Sequence, residues 1–166
     1  MLRFALAFLL APAAALACPG REAPCGIEGG EYYALLPEGE AKGAVLFLHG
    51  YRSSAGSILG NAALTQGLAA RGYALLVPNG SDEEGTDGGS WAFAEMVAAR
   101  RVRDDDLFLA SAAEDAAARF GLPRENMILA GFSEGGFMTS YLACRDPGLF
   151  AAYAPVAGGF WRPAPE

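Results

Sequence analysis

Histidine is almost missing from this chain: the 166 residues include one, His49. Any chemistry that needs an imidazole base has that single candidate. Basic charge is also scarce, with Lys and Arg numbering 12 against 19 Asp and Glu, for a net charge of -7. No basic stripe exists to neutralise phosphates, which excludes nucleic acid as a partner. Charged residues of both signs make up only 19%, against 52% apolar, a globular composition and not a disordered one. No G-x-G-x-x-G fingerprint, internal repeat or domain linker is present. Beyond the first residues, no apolar run is long enough to cross a membrane.

The exception opens the chain. MLRFALAFLLAPAAALA pairs a short positive region at Arg3 with an apolar run and small residues at Ala15 and Ala17. This is the pattern of a signal peptide over residues 1–17, cleaved before Cys18. Pro12 interrupts the run, which argues against a membrane anchor. A lipoprotein reading of Cys18 meets Ala15 where the usual lipobox has leucine. The expected product is one domain, 18–166, secreted or periplasmic and free of the membrane after cleavage. Export permits disulfides. Cys18 and Cys25 bracket a short loop and can pair locally, leaving Cys144 as a free thiol or one whose partner is absent.

Short apolar runs punctuate the rest of the chain. Tyr32 to Leu36, Ala44 to Leu48, Tyr73 to Val77, Met127 to Ala130 and Ala151 to Val156 have strand length. Between them, Leu64 and Leu68 mark one helical face, and Leu109, Ala113, Ala116 and Phe120 another. Asp104 to Asp106 supply negative charge at the second helix's start, and Gly121 to Pro123 stop it. A further helix covers Met138 to Ala143, while Ser53 to Ser57 and Ser81 to Ser90 read as loops. Strands alternating with helices predict an α/β fold: a mostly parallel sheet with helices on both faces. Chemistry in such sheets gathers at the carboxyl ends of the strands, where His49, Asn79 and Ser133 fall.

The stretch ILAGFSEGG, Ile128 to Gly136, carries the sharpest signal. Gly131-x-Ser133-x-Gly135, after a strand and before a helix, is the pattern of a nucleophile elbow. The serine sits in a strained turn, and glycines two positions away let strand and helix pack closely. Acyl transfer also requires donors for a tetrahedral oxyanion. The Glu134 N–H, at the helix start, is one candidate. The Tyr51 N–H, in the loop His49-Gly50-Tyr51, is the other. The Glu134 carboxylate is expected to face solvent, since an inward charge would oppose the oxyanion.

LFLHGY, LVPNGSD, GGSWAF, RVRDDDLFL, ILAGFSEGG and FAAYAPVAGG, in this order, resemble the polyhydroxybutyrate depolymerase and feruloyl esterase branch of the α/β-hydrolases. The likeness runs from about Glu31 to Phe160. It implies a secreted serine esterase with a Ser-Asp-His triad, no metal and no organic cofactor. Its partners are ester substrates, either polyesters or plant-wall aromatic and acyl esters. It makes Ser133 the nucleophile and assigns the oxyanion amides to Tyr51 and Glu134. It also places Trp91 in the acyl pocket, with His49 as a second possible pocket residue, the alternative for Trp91 being a core aromatic. A histidine at the position of His49 has a structural role in such enzymes.

In this fold the acid and then the histidine follow the serine. After Ser133 only Glu134, Asp146 and Glu166 are acidic, and no histidine follows. The expectation is therefore an esterase chain shortened before its C-terminal strands, acid and base, and weak as a catalyst. Two alternatives remain: a non-catalytic relative that binds esters or polymer, and a minimal hydrolase using His49 as base.

Overall fold

The computed structural model describes residues 18–82, 89–93 and 103–160. The proposed signal segment, 1–17, lies outside the described residues. Strands β1 (Gly20–Ile27), β2 (Gly30–Leu35), β3 (Gly43–Leu48) and β4 (Tyr73–Pro78) come first. Helices α1 (Ala55–Leu59) and α2 (Ala62–Ala69) connect β3 to β4. The short strands β5 (Ser81–Asp82) and β6 (Gly89–Ser90) come after β4. Then come α3 (Asp105–Phe120), β7 (Met127–Phe132), α4 (Glu134–Arg145) and β8 (Ala152–Val156).

Six strands form one sheet in the order β1-β2-β4-β3-β7-β8. The four strands from β4 to β8 run parallel, and β1 and β2 join antiparallel at one side. Parallel neighbours need covered faces, and both faces carry helices. On one side Leu109, Ala112 and Ala116 of α3 and Met138 and Leu142 of α4 pack on Leu46, Leu48, Met127 and Leu129. On the other, Ala55 and Leu59 of α1 meet Leu75 and Val77, with Leu68 of α2 against them. Each fully buried leucine or methionine of this kind contributes roughly 1.5–3 kcal/mol. The expected α/β-hydrolase-like sheet is thus what the chain forms.

Several elements were not expected: the short strands β5 and β6 fall in the loop read over Ser81 to Ser90, and β1 and α1 are the larger cases. β1 occupies the segment read as a short loop between Cys18 and Cys25. Pro24 is tolerated because the strand is an edge with a register shift between Gly20 and Cys25. A Cys18–Cys25 disulfide closes that segment, and Cys144 is free and exposed. Helix α1 falls in the loop expected over Ser53 to Ser57. Its N-cap residue Ser54 makes no side-chain cap; instead the Ala55 N–H donates to Asn79 Oδ1 at 2.7 Å, across 24 residues of chain. A cap borrowed through space leaves no local signature.

The helix α3 obeys its sequence signals. Asp104 caps it by accepting the Leu107 N–H at 3.1 Å, and Gly121 ends it in the left-handed region at φ 65. At the last described strand, β8, Ala152, Ala154 and Val156 are exposed. No helix among the described residues is long and apolar enough to cross a membrane.

Candidate active site

β7 ends at Phe132 and α4 begins at Glu134, which leaves Ser133 alone to make the turn, at φ 53 and ψ -116. A non-glycine residue is strained there, and the surroundings hold it. The Ser133 N–H donates to Val156 O at 2.9 Å, and the Phe137 N–H donates to Ser133 O at 3.0 Å. The glycines are sterically required. A Cβ on Gly131 would run into the Gly135 carbonyl, and one on Gly135 would sit 2.5 Å from Leu48 O. Helix and strand therefore approach backbone to backbone, as the elbow pattern demands.

The loop after β3 lies against this turn. A Cβ built on Gly50 would be 3.5 Å from the Ser133 Cβ, while the Tyr51 side chain is 53% exposed. The Gly50 carbonyl accepts from His49 Nδ1 at 2.8 Å and from the Ser53 N–H at 3.2 Å. In a trans peptide the N–H points opposite the C=O, so the Tyr51 N–H is aimed away from His49.

His49 is fully buried. Its Nε2 accepts the Gly80 N–H at 2.9 Å, so Nδ1 carries the ring proton and donates to Gly50 O. Burial lowers its pKa below the ordinary histidine value, the charge of Arg103 adding to that, with the Gly50 bond and Asp105 opposing. Both nitrogens are engaged with backbone, which leaves none to take a proton from Ser133. The ring is a neutral structural strut.

The strut belongs to a closed circuit behind the site. Trp91 Nε1 donates to His49 O at 2.8 Å, its ring 5.0 Å from the imidazole. The next residue, Ala92, gives its N–H to Asp105 Oδ2 at 2.7 Å. Asp105 is buried and paired with Arg103 at 2.6 Å. Arg103 donates to Asn79 O at 3.2 Å, and Asn79 precedes the Gly80 that returns to His49. Pairing and hydrogen bonds are what make a buried charge such as Asp105 tolerable.

Two expectations need correction. His49 and Trp91 do not line an open pocket: each is 0% exposed, and the core-aromatic alternative holds for Trp91. The Glu134 side chain does not face solvent. It is 8% exposed and accepts the Ser90 hydroxyl on Oε1 at 2.6 Å, a bond that residue spacing could not foretell. The sequence also gave no hint of the Arg103–Asp105 pair as a brace, beyond placing acidic residues at a helix start.

Of the expected site residues, the structure gathers Ser133, the Glu134 backbone and the loop of Gly50 and Tyr51 at one sheet edge. Asp146 follows the far end of α4, a twelve-residue helix, ~18 Å along its axis from the elbow. It is too distant to orient a base at Ser133.

Several solved structures share this architecture. FphF, a fluorophosphonate-binding serine hydrolase from Staphylococcus aureus, aligns with a TM-score of 0.62 and 18% identity over 78% of this chain and 51% of its own. The acetyl xylan esterase from Aspergillus awamori gives 0.59 and 16% over 76% of this chain and 48% of its own. TT1662 from Thermus thermophilus gives 0.50 and 30% over 70% and 48%. At such identities the first two speak for the fold alone, and the chain spans about half the length of these structures. A search of the curated proteins found no match. A family model described as the prolyl oligopeptidase family matches residues 61–160, which include the elbow, β7 and the whole of α4. By that match over more than half its length, the chain belongs to the prolyl oligopeptidase family, and its fold is α/β-hydrolase-like, as in those structures.

Proposed function

We propose that this chain carries the nucleophile and oxyanion portion of an exported serine esterase. The observation that carries the reading is Ser133 held at φ 53 between β7 and α4, with Gly131 and Gly135 packed backbone to backbone around it. Ser133 Oγ attacks the ester carbonyl, the alcohol departs with a proton, and water then releases the acid from the acyl-serine. The Glu134 and Tyr51 amides would hold the oxyanion.

The esters in view are those of the polyhydroxybutyrate depolymerase and feruloyl esterase branch: polyester, feruloyl or acetyl. Support comes from the LVPNGSD and GGSWAF blocks, and from a structural relative named as an acetyl xylan esterase. Both blocks have a physical use in the circuit through Asn79, Gly80, Ser90 and Trp91. Export rests on the pattern of residues 1–17.

The triad's acid and base are not supplied by the described residues. His49 is locked, Glu134 is bound to Ser90, and Asp146 is remote. On its own this chain should therefore show only the residual catalysis of an oxyanion site, roughly 10³–10⁴ over water. A non-catalytic ester-binding role is the competing outcome.

The test compares two proteins, this chain and the chain continued through whatever the gene encodes after Glu166, each with a Ser133→Ala control. Substrates are p-nitrophenyl acetate, methyl ferulate and a prolyl peptide p-nitroanilide. Ser133-dependent ester turnover, far faster in the longer protein, is expected. Turnover of the anilide without the esters would replace the esterase with a peptidase. No Ser133-dependent turnover in either protein would leave the binding role.

A further inference from the structure

A carboxylate directly after the nucleophile is an awkward neighbour for a developing oxyanion, because it adds negative charge where negative charge must form. The structure shows how this chain accommodates it. Glu134 is drawn inward and its Oε1 takes the hydroxyl of Ser90, itself buried, at 2.6 Å. That length is typical of an O–H donating to an ionised carboxylate, the stronger class of hydrogen bond. The charge also lies in the first turn of α4, where the helix dipole favours it.

Ser90 is placed to do more than cap a charge. Its strand β6 pairs with β5, Ser81 opposite Ser90. The preceding Gly89 gives its N–H to Ser53 O, in the loop after β3, at 3.0 Å. The contact is tight enough that a Cβ on Gly80 would sit 2.6 Å from Ser90 O. The following residue, Trp91, holds His49 O. One short segment therefore touches the loop after β3, the loop after β4 and, through Glu134, the elbow.

We propose that Ser90 is a positioning residue for the oxyanion site. Its hydroxyl fixes the Glu134 carboxylate inside the protein, draws that charge into a hydrogen bond, and ties the loop carrying Tyr51 to the helix start carrying the Glu134 N–H. The catalytic part of this inference rests on the esterase reading; the tethering part does not.

Glu134→Gln and Ser90→Ala separate the two duties, since glutamine keeps an oxygen acceptor for Ser90 but has no charge. The first readout is amide hydrogen exchange in the full chain. Gly80 and Gly89 N–H should exchange at least tenfold faster in Ser90→Ala and in Glu134→Ala, relative to Leu129 N–H in β7. In Glu134→Gln they should stay within about threefold of the parent. The second readout is the Ser133-dependent hydrolysis of p-nitrophenyl acetate. There kcat should fall several-fold in Ser90→Ala, with KM little changed, and rise in Glu134→Gln.

If Glu134→Gln exchanges as fast as Glu134→Ala, or Ser90→Ala exchanges like the parent, the tether is refuted. If exchange follows the expected order but kcat falls equally in Ser90→Ala and Glu134→Gln, the charge-capping duty is refuted. Should Ser133-dependent hydrolysis be absent altogether, it is the esterase reading that fails, and the exchange order still decides the tether. Ser90→Thr, which retains the hydroxyl, guards against loss of the fold in Ser90→Ala: restored protection supports the tether, and protection no better than in Ser90→Ala opposes it.

Discussion

His49 Nε2 accepts the Gly80 N–H at 2.9 Å, joining the residue that follows β3 to the loop that follows β4. The bond exists only while the ring is neutral, since protonation turns the acceptor into a second donor facing a donor. Burial keeps the folded pKa below 6.5, so the unfolded chain binds the proton more readily. Stability therefore rises with pH in this window: the contribution is complete above about pH 6.5 and is lost as pH falls toward the folded pKa. Urea midpoints between pH 5 and 7 should show this slope, and His49→Ala should flatten it while costing about 2–4 kcal/mol. As the only histidine, His49 also gives one ring signal for a direct NMR titration. A ring that titrates at 6.5 or above would contradict the neutral strut.

Asp106 should act in the opposite sense. Its pKa is raised to about 6, by burial first, with Asp104 and Asp105 adding to it and the Arg145 charge at 2.8 Å opposing. A carboxyl with a raised folded pKa gives stability that is present below its unfolded value and lost as pH climbs through the folded one. The Asp106 contribution should thus decline between about pH 4 and pH 6. Arg145 is largely exposed, so the ion pair returns little. Asp106→Asn should be about 1–2 kcal/mol more stable than the parent at pH 7. Thermal unfolding of both proteins at pH 4 and pH 7 would reveal it, and equal differences at the two pH values would reject the assignment.

Ser133→Gly should stabilise the chain. Glycine enters the φ 53, ψ -116 conformation far more readily than serine, and relief of such strain is worth on the order of 1–3 kcal/mol. Glycine's greater freedom in the unfolded state subtracts about 0.5–1 kcal/mol from that gain. Chemical denaturation gives the sign directly. A destabilised variant would mean that the serine hydroxyl holds the turn.

Gly131 and Gly121 should respond very differently to alanine. At Gly121 a Cβ meets nothing within 4 Å, and the only cost is its φ of 65, about 1 kcal/mol. At Gly131 the new methyl meets the backbone of α4, and neither strand nor helix can withdraw without opening the core. Gly131→Ala should cost more than about 3 kcal/mol or prevent folding. Parallel urea titrations would compare them, and similar midpoints would mean that the elbow is looser than its geometry.

Much of this was legible residue by residue. The runs at Ala44, Tyr73 and Met127 became buried parallel strands because continuous apolar stretches of that length suit a sheet covered on both sides. Asp104 and Gly121 bounded their helix because caps act over three or four residues, a range a sequence displays. Ser133 and its glycines were legible for the same reason: the elbow is a local conformation with local steric demands.

What escaped reading depends on contacts between distant residues. The N-terminus of α1 is completed by Asn79, and β1 exists through its pairing with β2 and the Cys18–Cys25 bridge. Glu134 turned inward because Ser90, 44 residues earlier, was there to receive it. The amino-acid order by itself determined the sheet type and the glycine-flanked serine turn, both of which rest on periodicity and short-range sterics. Only the tertiary structure decided that the lone histidine is a strut, that Trp91 is core, and that the carboxylate beside Ser133 is held inside. Each of those depends on which donor or acceptor the fold brings within about 3 Å of a buried group, and burial without a partner is what the chain must avoid.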